Sequence, residues 1–322
     1  MAYQNVGTPR FFINVLEWLD SINQITDDDG NPIPLDNIYR TLPVNPIEKT
    51  VDDWTTESGP KSFILPQGLV RDKSFAAILG ISNHTSAYTV KQGFRRLKPI
   101  INGSGVNGGV EIDHNGFSIS TFDSGLMDGQ ENKFSPYYIA TIGSFIIGNY
   151  FDMPHSPDMN LTLTREYDGL KTIQTKGGAS LSNSYYHSPP KWGDLEAWQL
   201  RPFNQNLKFV MPMTGRRVWS LSFSYLSDSN LFQDNIIEQT ATDSGFEEES
   251  DTTLDFMSEV VKRTKGGQFP FIFQPDGDAG IIHSGTNTQD QFAICKFDMN
   301  SFQTKQVSNG VYNMSLKIRE VW

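Results

Sequence analysis

Gly103-Ser-Gly-Val-Asn-Gly108 has the glycine spacing that can cradle the pyrophosphate of a dinucleotide. That chemistry needs a strand feeding a helix, because the phosphates sit on the free amide groups of the helix N-terminus. Here the chain continues Gly109-Val-Glu-Ile-Asp-His-Asn-Gly116, a short strand and a turn, so the glycines predict a hairpin loop. Clustered carboxylates in Asp27-Asp-Asp-Gly-Asn-Pro32, and in the loop holding Asp276 and Asp278, suggest calcium. An EF-hand loop needs glycine at its sixth position and a bidentate glutamate at its twelfth, where a count from Asp27 finds Pro32 and Ile38. Only a looser surface calcium site is left open. His84, His114, His155, His187 and His283 stand far apart, without a metal-binding pair such as HExxH.

The sequence contains neither a GxSxG elbow nor a P-loop. Its 37 acidic residues do not single out the two facing carboxylates of a glycosidase, so a polysaccharide-degrading enzyme rests on acidity and β texture alone. Cys295, the one cysteine, excludes an internal disulfide and reads as a small strand residue in Phe-Ala-Ile-Cys-Lys-Phe rather than a nucleophile. No catalytic, cofactor or metal residue is assigned on these patterns.

Aromatic side chains offer binding instead of catalysis. Tyr185, Tyr186, Trp192 and Trp198 lie in a Pro/Gly/Ser-rich stretch, where exposed rings could stack on sugars or seal a contact between domains or subunits. The second reading is favoured, since aromatics are enriched at interfaces. Phe269, Phe271 and Phe273 belong to Phe269-Pro-Phe-Ile-Phe-Gln-Pro275. Pro270 cannot donate to a ladder, which predicts a sheet edge or a platform beside one and makes these rings candidate subunit or glycan contacts.

The elements that would carry these residues are mostly strands. With 27 glycines and 17 prolines scattered between short apolar runs, the 322 residues predict an all-β protein with one clear helix. Alternating runs occur at 117–122, at 160–165 with 170–175 as its expected hairpin partner, at 218–226 and at 312–322. The helix is expected over 253–264, with Thr252 as cap, Leu254, Met257 and Val261 on one face and Gly266-Gly267 as terminator. Acidic residues at 247–255 and basic ones at 262–265 suit its dipole. A change of texture at Pro154 and Pro157 predicts a β-rich domain with an extended arm over 1–154 and a second domain over 155–322.

A net charge of −11 argues against nucleic acid as a partner. The most apolar window, 137–148, is too short to cross a bilayer, and no leader is apparent at the start, so assembly in a cytoplasm is expected.

The order of segments over 215–322 resembles the minor tail and distal tail proteins of long-tailed bacteriophages. It runs Arg216-Arg217-Val-Trp219-Ser-Leu-Ser-Phe, the helix, Gly267-Gln-Phe-Pro270-Phe271, Phe292-Ala-Ile-Cys-Lys-Phe297 and Leu316-Lys-Ile-Arg-Glu320-Val321. The resemblance implies a β-sandwich belt with one packed helix, no cofactor, and a homo-oligomeric ring, a hexamer in that family, in the virion at the tail tip. Its implied partners are the tail tube and the baseplate hub or tape-measure proteins. Residues 1–150 lie outside the resemblance, and the family's minor tail proteins are shorter. The rival expectation is a carbohydrate-binding adsorption protein that uses Tyr185, Tyr186, Trp192 and Trp198 on a host surface glycan.

Overall fold

The computed structural model describes residues 6–23, 25, 39–42, 47–49, 63–64, 73–81, 95–101, 110–112, 116–122, 131–135, 140–166, 170–184, 215–232, 255–277 and 292–321. In chain order its strands are β1 (Arg10–Asn14), β2 (Ile47–Lys49), β3 (Phe63–Ile64), β4 (Ser74–Ile81), β5 (Arg95–Ile101), β6 (Val110–Ile112), β7 (Gly116–Phe122), β8 (Glu131–Ser135) and β9 (Ala140–Ile142). They continue with β10 (Ser144–Asp152), β11 (Thr162–Glu166), β12 (Leu170–Gln174), β13 (Ser180–Ser184), β14 (Arg216–Ser227), β15 (Phe271–Gln274), β16 (Ala293–Phe297), β17 (Thr304–Ser308) and β18 (Val311–Glu320). Two short helices, α1 (Val15–Asp20) and α2 (Asp228–Leu231), and one π-helix (Met257–Lys262) accompany them.

β1 carries Phe11, Phe12 and Ile13 in succession, so both of its faces are apolar and it is satisfied only inside a sheet. It lies antiparallel between β10 and β15, with Phe12 opposite Tyr150 on one side and Ile272 on the other. Around it runs a ten-stranded sheet in the order β11-β14-β18-β16-β15-β1-β10-β4-β7, with β17 added beside β18. Its pairings are all antiparallel, and the protein is all-β.

This sheet is continuous across residue 154, so the expected division into 1–154 and 155–322 does not separate two cores. Pro154 and Pro157 end β10 and turn the chain toward β11; the change in texture is a connection and not a boundary.

Apolar side chains fill both faces of the central strands. Phe11 and Ile13 of β1, Phe271 and Phe273 of β15, and Cys295 and Phe297 of β16 join Trp219, Leu221, Phe223, Met314, Leu316 and Ile318 in one cluster. Phe12, Ile272 and Ile294 point the other way and join Phe75, Ala77, Leu79, Ile146 and Tyr150 in a second. β14 and β18 are covered on one face, and their alternation is the one expected from sequence: Leu221, Phe223, Met314 and Leu316 are buried while Ser220, Ser315 and Lys317 are exposed.

Three further expectations change. The segment 269–275 is not an edge: β15 has neighbours on both sides, and Pro270 stands one residue before the ladder, where its missing N–H costs nothing. β11 pairs with β14 instead of with 170–175, which lets Leu161 and Leu163 cover the larger cluster. The helix is capped by Asp255, whose Oδ1 accepts the Ser258 N–H at 2.8 Å; Thr252 and Leu254 lie outside the described residues. Its buried positions are Phe256 and Val260, with Met257 and Val261 half-covered beside them. Termination at Gly266-Gly267 is as expected, with φ of 69° and 92°. Gly267 also admits no side chain, since a Cβ would stand 2.8 Å from that of Phe297.

Phe11 contacts Phe256, Phe271, Phe273 and Phe297 at ring-centroid distances of 5.8, 5.5, 5.4 and 6.1 Å. Phe11→Ala is therefore expected to destabilise the protein by about 3–5 kcal/mol, read from the urea midpoint at unchanged slope.

Candidate functional site

Two buried places bring polar chemistry together among the described residues, and one hairpin leaves a pair of apolar side chains in the open. The first buried place is where β14 and β18 run side by side. Arg217 and Glu320 are both almost fully buried. The guanidinium Nη2 donates to Glu320 Oε1 at 2.8 Å, and Nε donates to Oε2 at 3.0 Å. The Arg217 backbone N–H also donates to Oε2 at 3.0 Å, and Nη2 donates to the Phe292 carbonyl at 2.8 Å. Trp219 lies beneath the guanidinium, 5.2 Å from ring centroid to Cζ. The fork is thus bidentate and locked, which suits a structural clamp between strands.

Cys295 faces Glu320 across the β16–β18 ladder. Burial pushes its thiol well above the ordinary range, the Glu320 carboxylate pushes the same way, and Arg217 opposes both. A thiol so held is neutral and enclosed, and it packs as the strand residue expected from sequence.

The second buried place is where the π-helix meets β10 and α1. Glu259 Oε2 forms an ion pair with Arg263, 2.7 Å from Nη1, and accepts a hydrogen bond from Asn149 Nδ2 at 3.3 Å. Burial raises the Glu259 carboxyl above its ordinary value, against the lowering pull of Arg263 and Asn149. Arg263 also stands 5.9 Å from the Trp18 ring of α1, and Lys265 donates to the Ser21 carbonyl at 3.3 Å. Beside it, Asn14 caps α1 through the Leu16 N–H at 3.1 Å, and Glu17 Oε2 accepts the Thr41 hydroxyl at 2.8 Å. These groups are spent on fastening the helix to β10 and α1, and α1 to the segment at Thr41.

The open feature is the hairpin β12–β13. Thr175 and Ala179 close it: the Thr175 N–H donates to the Ala179 carbonyl at 2.9 Å, and the Ala179 N–H to Thr175 Oγ1 at 3.1 Å. Gly178 takes φ of 80°, the left-handed position of a short hairpin loop. Ile173 and Leu181 face one another across it and are 66% and 61% exposed.

Among the residues expected to bind, Tyr185, Tyr186, Trp192 and Trp198 lie outside the described residues. Phe271 and Phe273 are corrected: both are fully buried in the larger cluster, because β15 is an inner strand, and neither ring is available to a partner in this chain's fold. Phe269 is half-buried, with the Lys265 ammonium 5.5 Å from its ring centroid. Among the described residues no group of three or more His, Cys, Asp or Glu could hold a metal ion. Sequence reasoning overlooked Glu259, although its four-residue spacing to Arg263 was a visible signal. Arg217 and Glu320 lie 103 residues apart, and only the β14–β18 pairing brings them together.

No family model, curated protein or solved structure matches this chain.

Glu320→Ala should cost about 3–5 kcal/mol by stranding the buried Arg217 charge, whereas Arg217→Met with Glu320→Leu should recover most of that loss in the same denaturation experiment. A pH series tests Glu259. Its folded-state value is raised, so its contribution to stability is full below the unfolded value and is lost as pH rises through the folded one. Glu259→Gln keeps an oxygen for Arg263 and Asn149 without the titration. Its Tm relative to wild type should climb as pH rises above the ordinary carboxyl range, and parallel curves would refute the assignment.

Proposed function

We propose that this chain is a structural protein of a tailed-bacteriophage virion, a distal tail or minor tail protein. It works by assembling into a ring at the tail tip that joins the tail tube to baseplate or adsorption proteins, and not by catalysis. The observation that carries the reading is how the segments behind the family resemblance pack. β14, β18, β16 and β15 are successive neighbours in one sheet, although the chain visits them in a different order. Phe256 and Val260 of the π-helix pack into the same cluster as these strands. Segments that resemble one family in sequence order therefore also pack together, a strand layer with the π-helix against it, which supports treating them as one inherited module. The polar pairs described above serve as fastenings, a division of labour that fits a scaffold.

Electron microscopy and sedimentation of the purified chain test the reading, together with mass spectrometry of purified virions. Rings of a defined copy number and presence in the tail are expected. A chain that stays monomeric at every concentration and is missing from virions would overturn the proposal.

A further inference from the structure

Among the described residues the hairpin β12–β13 forms a sheet of its own, unconnected by strand pairing to the ten-stranded sheet. From residue 172 to residue 182 every side chain is exposed except that of Thr175, which is half-buried. Yet the hairpin is two-faced. Ile173 and Leu181 are register partners and so share one face, while Thr172, Ser182, Gln174 and Ser180 pair on the other. Alternation of this kind marks a strand pair with one face covered, and a free two-stranded hairpin is marginal in water. Other large exposed apolar residues, such as Ile22, Met159 and Tyr225, stand on separate elements, whereas Ile173 and Leu181 form a pair.

Charge indicates what covers the pair. Residues 170–184 contain Lys171 and Lys176 and no acidic residue, an arm of charge +2. The chain as a whole carries −11, so the remainder carries −13. A basic arm with an apolar face is complementary to the acidic body of its own kind.

We infer that the β12–β13 hairpin is a docking arm that inserts the Ile173–Leu181 face against the body of a second copy of this chain. Arm and receiving surface are different parts of the molecule, so the contact can repeat head-to-tail; such contacts close into rings when the rotation between copies permits. The inference rests on the oligomeric reading above and names the element that would make it work.

Sedimentation velocity of the full chain tests it, comparing wild type with Ile173→Thr/Leu181→Thr and with Lys171→Glu/Lys176→Glu. Threonine keeps the strand propensity, and the exposed positions 173 and 181 should leave the far-UV circular dichroism and Tm unchanged. The threonine pair is expected to weaken self-association by at least about tenfold. Charge reversal should weaken it too, and wild-type association should fall as salt is added. Wild-type association in both variants would overturn the docking arm while leaving the ring reading standing. A wild type that is monomeric throughout would remove both. A monomeric wild type whose hairpin binds anionic vesicles or a glycan would assign the arm a different occupant and likewise overturn the inference.

Discussion

The fold depends on burying one five-residue strand on both sides. Arg10–Asn14 supplies phenylalanine to each face, so the sheet must extend in both directions from it and both surfaces must be roofed. On one face the roof includes the π-helix, through Phe256 and Val260; on the other the smaller cluster reaches across β10 to Phe75, Ala77 and Leu79 of β4. Gly148, opposite Asn14, follows from the same crowding: a Cβ there would run into the Ile13 carbonyl oxygen. A glycine is retained where the two strands come closest.

Several of the buried polar pairs fasten elements that are remote in sequence. Arg217 and Glu320 tie β14 to β18, and the Phe292 carbonyl brings in the segment leading to β16. Arg10 and Asp152 do the same between β1 and β10, with the Tyr150 ring 4.4 Å from the guanidinium carbon. Buried ion pairs of this sort contribute little net free energy against apolar replacements, but they penalise a wrong register heavily, since a one-residue slip would strand a charge. In a sheet with so many antiparallel neighbours, that penalty is a reason to keep them.

How much of this was legible in the sequence depended on the range of the interaction. The all-β class, the amphipathic strands around 218–226 and 312–320, and the stop at Gly266-Gly267 are local matters of alternation and backbone geometry, and they read directly. The place of 271–274 is not legible from Pro270, which restricts only its own position while the ladder starts one residue later. A domain boundary at 154 was inferred from prolines that only turn the chain. The candidate sites fared likewise: Phe271 and Phe273 look like anchors until the neighbours of β15 are known, and the Ile173–Leu181 pair becomes visible only when β12 is seen to pair, among the described residues, with β13 alone.

The position of β1 has a kinetic consequence. Its two neighbours are β10 and β15, and the second is synthesised only after most of the chain, so a nascent chain carries Phe11 and Phe12 for a long interval without the strand that completes their enclosure. Non-local pairing of this kind slows folding and leaves an open apolar edge on partly made chains. Crowded ribosomes translating this message would thus hold sticky intermediates side by side, a situation in which chaperone capacity, more than final stability, sets the yield of folded protein.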